Sequence, residues 1–139
     1  MMQVNWLAIL AAGIINMVIG SLWYSPVMFA NPWMQSLGWT REKIEQLKKK
    51  QKGMGMQYGI MFIGALFMGY VMSMLTKATN TTTLDMGAGL GFWVWLGMIV
   101  PVVLPGVLFE QKPWKWYVIN VGYYLVVLVI IGALMAVWR

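Results

Sequence analysis

The sequence predicts an all-α integral membrane protein with four membrane-spanning helices in a single domain of residues 1–139. Hydrophobic residues make up 60% of the chain and charged residues only 10%, whereas soluble domains carry about 25% charged residues. The apolar residues fall into four runs, each close to the roughly 20 residues that cross a bilayer. These runs predict spans 1 to 4 at about 5–25, 54–76, 84–109 and 114–138.

Span 1 carries a stripe of small and polar side chains at four-residue spacing, namely Ala8, Ala12, Asn16 and Gly20. Small residues let helix backbones approach closely in lipid, and a polar side chain near mid-bilayer needs a hydrogen-bond partner. We therefore expect Asn16 on the buried side of span 1, bonded to a neighbouring helix. A ligand or water site at Asn16 is the alternative.

A connecting segment, residues 26–53, joins spans 1 and 2 and begins in a run of prolines and aromatics. Pro26 lacks a backbone donor and is expected to end span 1. Asn31 is expected to cap a short interfacial turn over residues 32–37, because proline is favoured in a first helical turn. Thr40 is expected to cap a basic amphipathic helix that comes after this turn.

The positive charges indicate how the chain is oriented. Eight of the ten lysines and arginines fall in the connections after spans 1 and 3 or within two residues of them, so the positive-inside rule places both connections in the cytoplasm and both termini outside. Nucleic-acid binding is not expected, because no aromatic residues are interleaved with the lysines for base stacking. The lysines expected to contact anionic lipid headgroups are Lys48, Lys49, Lys50, Lys52, Lys112 and Lys115.

The last two spans differ in composition. Thr82 and Asp85 predict a capped start for span 3. Pro101 and Pro105 each remove a helical hydrogen bond, which predicts a kink with free carbonyls, although prolines in spans also serve packing. Span 4 is rich in valine, leucine and isoleucine, which suits lipid exposure, and its polar content includes Asn120.

An internal repeat is suggested by residues 26–33 and 105–114. Both stretches read proline, apolar residues, phenylalanine, a polar turn and then Pro-Trp. The spacing differs by one residue in each half of the motif, which leaves chance similarity open. The repeat predicts two parallel hairpins related by a pseudo-two-fold axis along the membrane normal, with the two elbows facing each other.

Several parts of the chain together resemble a family of small bacterial membrane proteins, domain-of-unknown-function family 1761. They are residues 5–8, residues 20–26, Phe29, Trp33, residues 112–114 and residues 119–123. The resemblance spans nearly the whole chain and implies a four-helix protein of the bacterial cytoplasmic (inner) membrane. The family supplies no accepted activity, so the resemblance assigns no catalytic residue.

The composition argues against an enzyme. The chain has no cysteine and no histidine, which removes thiolate and imidazole chemistry and most transition-metal ligation. We therefore expect no catalytic residue, metal site or cofactor. A lipid-modifying enzyme is a remote alternative and would depend on Asp85 or Glu110, which lie near opposite membrane faces.

The functional prediction is a structural or binding protein that self-associates as a homo-oligomer or serves as a subunit of a membrane complex. The alternative is a small transporter or channel for a small or amphipathic molecule, although no charged residue lies at mid-membrane. The residues expected to line a packing face or a ligand path are Asn16, Gly20, Trp23, Tyr24, Pro101, Pro105 and Asn120.

Overall fold

The computed structural model describes residues 4–25, 28–50 and 55–139. These residues form helices and turns and contain no strand. Four helical segments are long and apolar enough to cross a membrane, which confirms the all-α class and the number of spans. In chain order, spans 1 to 4 are Trp6–Trp23, Gly55–Ala78, Leu84–Leu108 and Trp114–Val137.

Helix α1 forms span 1, Trp6–Trp23, and begins at a side-chain cap. The Asn5 Oδ1 accepts hydrogen bonds from the backbone N–H groups of Leu7 and Ala8 at 3.1 and 3.2 Å. This satisfies donors that the first turn of a helix leaves without partners. At the other end the expected stop at Pro26 lies outside the described residues, and the Ser25 N–H donates back to the Leu22 carbonyl at 3.2 Å.

The connection to span 2 holds two short helices, α2 (Ala30–Ser36) and α3 (Arg41–Lys50). The predicted Asn31 cap is wrong, because α2 begins two residues earlier than expected, at Ala30, and Phe29 precedes it without a side-chain cap bond. A backbone acceptor is used instead, since the Ala30 N–H donates to the Ser25 carbonyl at 3.1 Å. Pro32 then falls in the first turn, where its missing N–H costs nothing.

Threonine side chains cap the first turns of two further helices. The Thr40 Oγ1 accepts from the Lys43 N–H at 3.3 Å at the start of α3, as predicted. Helix α4, Gly55–Ala78, is span 2, and α5, Leu84–Val94, opens span 3. The predicted Thr82 cap of α5 is wrong by one position, because Thr83 has the extended backbone of a cap and accepts from the Met86 N–H at 3.4 Å.

Span 3 is interrupted in its second half, where the two prolines lie. After α5 it continues as a π-helical turn, Trp95–Ile99, in which the Val100 N–H bonds to the Trp95 carbonyl. Two short helices come next, α6 (Val100–Val103) and α7 (Pro105–Leu108). A π-turn inserts a residue into the helical repeat and shifts the faces on either side of it.

Helix α8, Trp114–Val137, forms span 4 and is the centre of the bundle. It packs against spans 1, 2 and 3, so the expectation of lipid exposure is wrong. Lipid tails are as apolar as leucine, and an apolar composition therefore does not separate a lipid-facing helix from a central one. The residues of α8 that lie in the core are Tyr123, Val127, Leu128, Ile131 and Met135.

Glycines bring spans 3 and 4 together. A Cβ added to Gly87 would overlap the Gly132 carbonyl oxygen, and one added to Gly91 would overlap the Leu128 carbonyl oxygen. The two backbones therefore touch where these glycines lie, which is the close packing that small residues permit between helices in a membrane.

The two Pro-Trp pairs of the suspected repeat have different local structures. Pro32 and Trp33 lie inside α2, whereas Pro113 is the extended residue before α8 and Trp114 is the first residue of that helix. Part of the first copy, Pro26, lies outside the described residues. The pseudo-two-fold arrangement of hairpins stays a prediction.

Candidate functional site: a polar and aromatic cluster between spans 1 and 4

Asn16 is the polar centre of the bundle, with only 7% of its surface exposed. The Tyr123 hydroxyl of span 4 donates to the Asn16 Oδ1 and lies 3.2 Å from the Asn16 carbonyl oxygen. On the other side, the Asn16 Nδ2 lies 3.7 Å from the Met68 sulfur of span 2. Asn16 therefore joins spans 1, 2 and 4, on the buried side that its small-residue stripe predicts.

Gly20 leaves the space that the Tyr123 ring occupies. It lies one helical turn after Asn16, and a Cβ built on it would stand 3.1 Å from the Tyr123 hydroxyl oxygen. Gly122 of span 4 likewise leaves space for a ring of span 1, since a Cβ there would stand 3.2 Å from the Trp23 ring. Each glycine thus accepts an aromatic side chain from the opposite helix.

A second polar layer lies at the end of span 1. The Trp23 indole N–H donates to the Ile119 carbonyl at 3.0 Å. The Tyr24 hydroxyl lies 2.6 Å from the Asn120 Oδ1, and the Asn120 Nδ2 donates to the Trp116 carbonyl at 2.7 Å within α8. The hydrogen bonds from Trp23 and Tyr24 end on consecutive residues of span 4, so they fix the register of the two helices.

Aromatic rings fill the space between these hydrogen bonds. The Tyr123 ring centroid lies 5.6 Å from that of Tyr24 and 5.0 Å from that of Tyr124. The Phe29 ring, from the connection after span 1, lies 4.6 Å from the Trp23 ring. Such tilted pairs add to the stability that area burial provides.

Pro101 and Pro105 lie outside this cluster, and both are exposed on span 3. Span 3 contributes other groups instead. The Trp95 indole N–H donates to the Val121 carbonyl at 2.7 Å, and the Tyr117 hydroxyl of span 4 donates to the Val100 carbonyl at 3.0 Å. These bonds lie at both ends of the π-turn, so they fasten the interrupted part of span 3 to span 4.

Sequence reasoning missed Trp95, Tyr117 and Tyr123 as members of the site. A usable signal was present for Tyr123, which lies three residues after Asn120 and therefore on the same side of α8. A similar signal was present for Trp95, which lies four residues after Gly91 and therefore on the same side of span 3.

Two of the described lysines at the basic end of the bundle lie beside aromatic rings. The Lys43 Nζ is 5.1 Å from the Trp39 ring centroid, and the Lys112 Nζ is 4.3 Å from that of Trp116. Lys115 is exposed. Lys48, Lys49 and Lys50 belong to α3, but their side chains are outside the described part of the chain, as is the whole of Lys52.

The cluster offers hydrogen bonds but little reactive chemistry. Its side chains are amides, phenols and indoles, and most of their polar atoms bond to one another or to backbone carbonyls. In the described ranges, no group of three or more histidine, cysteine, aspartate or glutamate side chains is placed to hold a metal ion. Asp85 and Glu110 are exposed at opposite ends of span 3. The arrangement is suited to joining helices.

An apolar groove of about 510 Å³ lies apart from the cluster, between spans 1 and 2. The Trp6 and Tyr70 rings stack at one end of it, 6.0 Å apart. The residues lining the groove are Trp6, Ile9, Leu10, Ile63, Leu66, Phe67 and Tyr70.

Comparison with known proteins gives a family and no activity. No curated protein matches the chain, and no solved structure matches it. A family model described as a protein of unknown function, DUF1761, matches residues 7–136, which include nearly all of the four spans and both layers of the polar cluster. The chain therefore belongs to the DUF1761 family of proteins of unknown function.

Proposed function

We propose that this protein is a non-enzymatic, self-associating membrane protein, which acts as a structural or binding component or as an accessory subunit of a membrane complex. The observation that supports it is the uneven covering of the spans. In an 18-residue window of each helix, 44% of the residues of span 4 are buried but only 6% of those of span 3. One helix is thus used as a core, while another has few buried residues and leaves exposed side chains available for contacts outside the chain.

The polar cluster supports a structural role for the bundle itself. In lipid, helices associate through close packing and interhelical hydrogen bonds. The cluster supplies both, with close approach at Gly20 and Gly122 and hydrogen bonds at Asn16 and Trp23. A preformed four-helix unit of this kind is able to offer an outer face to a partner without reorganising its core.

We place the protein in the bacterial cytoplasmic membrane, with both termini outside and the basic connection in the cytoplasm. The family resemblance and the positive-inside rule support this placement. Lysines beside aromatic rings, such as Lys112 over Trp116, suit the headgroup region, where anionic lipid attracts basic side chains.

Counting subunits tests self-association. The protein, reconstituted into liposomes at low density with one fluorophore per chain, is expected to photobleach in two or more steps at increasing protein-to-lipid ratios. A strict single step at every ratio, matched by a monomer mass in nanodiscs, would refute the proposal.

A small transporter for an amphipathic molecule is the second candidate. It is favoured by the Asn16 amide nitrogen, whose hydrogen-bond partner among the described residues is the thioether of Met68 at 3.7 Å. A thioether is a weak acceptor, so this donor retains capacity for a ligand. Liposome flux of amphipathic dyes, compared between the native protein and the Asn16→Leu and Asn120→Leu variants, tests it, and flux that is absent or unchanged by the substitutions removes the transporter.

A further inference from the structure

We propose that helix α2 is a hinged cover over the Tyr24 end of the polar cluster, and that it undocks toward the lipid headgroups to open the cluster from the membrane surface. The movement takes place within one chain. It is therefore independent of the proposed self-association, and each can fail without the other.

The indole N–H of Trp33, on α2, is buried without an acceptor. Its nitrogen is the only buried side-chain nitrogen or oxygen that lacks a hydrogen-bond partner among the residues that the structure describes. The indoles of Trp23 and Trp95 provide the contrast, because they donate to carbonyls of span 4 at 3.0 and 2.7 Å. Buried polar groups in native proteins are nearly always paired, so the docked position of α2 carries a cost.

Aromatic rings surround Trp33 and hold α2 in place. The Trp33 ring centroid lies 5.3 Å from that of Tyr24 and 5.2 Å from that of Trp39, and both pairs meet edge to face. Such pairs favour docking, but a ring face is a weaker acceptor for an N–H than an oxygen atom is. The docked helix thus gains ring packing and gives up a hydrogen bond, two effects of comparable size.

The headgroup region offers Trp33 what the docked position lacks. Helix α2 follows directly after span 1, which puts it at the end of that span. Tryptophan is favoured at this level of a membrane, because its ring stays among apolar groups while its N–H reaches water or headgroup oxygens. Undocking therefore gives the donor an acceptor without moving the whole ring into water.

Helix α2 has the two sides and the hinge that such a movement needs. Asn31 and Gln35 stand four residues apart, hence on one side of the helix, and both are exposed, whereas Ala30 is buried. Gly38 follows α2 with φ +70°, and a Cβ built on it would meet nothing within 4 Å. A glycine in open space tolerates the backbone rotation of a hinge.

The cover lies over the outermost layer of the cluster. Tyr24, against which the Trp33 ring packs, holds its hydroxyl 2.6 Å from the Asn120 Oδ1. Its ring lies 5.6 Å from that of Tyr123, whose hydroxyl donates to Asn16. Removing Trp33 from Tyr24 uncovers this series of polar groups from its membrane-surface end, which gives a small polar or amphipathic molecule a route to them.

Thiol labelling of Ala30→Cys tests the movement, because the native chain contains no cysteine. In nanodiscs with a water-soluble maleimide, Gln35→Cys on the exposed side of α2 gives the fast reference. Ala12→Cys, fully buried in the bundle, gives the slow one. We expect Ala30→Cys to label at a rate between the two. A rate equal to that of Ala12→Cys would show that α2 stays docked, and one equal to that of Gln35→Cys would show that it does not dock; either result would overturn the proposal.

Substitution of Trp33 in the Ala30→Cys protein tests the cause. Trp33→Phe keeps a ring but removes the unpaired donor, so it should favour docking and slow the labelling by about fivefold or more. Trp39→Phe is the matched control, since it shortens the other ring of the same pair and leaves the Trp33 donor in place; it should not slow the labelling. Labelling of Trp33→Phe as fast as that of Trp39→Phe, or faster, would refute the role of the unpaired N–H and with it the cover.

Discussion

Replacing Tyr123 by phenylalanine removes one oxygen atom and tests whether the Asn16 hydrogen bond stabilises the bundle. The hydroxyl is bonded to the Asn16 side chain and lies 3.2 Å from its carbonyl oxygen. Hydrogen bonds between spans contribute about 0.6 kcal/mol on average and about 1.7 kcal/mol at most. An acceptor left buried without a donor costs about 1–3 kcal/mol. We expect Tyr123→Phe to lower the free energy of unfolding by about 1–2 kcal/mol.

Equilibrium unfolding in mixed micelles with increasing SDS measures this change, and Tyr124→Phe is the matched control. Tyr124 neighbours Tyr123 on span 4, and its hydroxyl has no partner among the residues described. The double variant Asn16→Leu with Tyr123→Phe should recover part of the loss, because an apolar pair leaves no acceptor unpaired. Equal destabilisation by Tyr123→Phe and Tyr124→Phe, or strict additivity in the double variant, would refute the reasoning.

Three further substitutions probe other contacts. Gly91→Ala places a methyl group against the Leu128 carbonyl and should destabilise the protein by about 1–3 kcal/mol, whereas Gly64→Ala, which points into open space, should be neutral or stabilising in the same SDS titration. Trp23→Phe removes the hydrogen bond to the Ile119 carbonyl and should cost about 0.5–1.5 kcal/mol; a value near zero would contradict a role in register. Thr83→Ala removes the cap of α5 and should cost about 1 kcal/mol by the same measurement, and a larger loss from Thr82→Ala would show that the cap is misplaced.

Much of the fold could be predicted because a bilayer sets the length of each helix. Four apolar runs of spanning length predicted four helices, and the observed helices have closely similar bounds. Local caps were predictable where one residue alone could serve, as at Thr40. They were missed where a backbone carbonyl accepts the bond instead, as before α2, or where adjacent threonines competed, as at Thr82 and Thr83.

The arrangement of the helices was less predictable, because lipid and protein interior have the same polarity. The apolar sequence of span 4 therefore did not reveal that it is the central helix. In the candidate site, small and polar residues within spans were informative, and those that come together are Asn16, Gly20, Trp23, Tyr24 and Asn120. Pro101 and Pro105 do not join them. The π-turn before these prolines sets the side of span 3 on which they lie, and this turn depends on packing against span 4, which the sequence did not reveal.

The central position of span 4 has a consequence for how the protein is made. Synthesis proceeds from the N-terminus, so spans 1 to 3 enter the membrane before the helix that all three contact has been translated. Until α8 arrives, Asn16 lacks the Tyr123 hydroxyl, and Gly87 and Gly91 lack the backbone that they receive. The unfinished chain would thus expose polar and glycine-lined surfaces to lipid, where insertases or quality-control proteases are able to recognise them. Completion of the last span is then the step that commits the chain to its folded form.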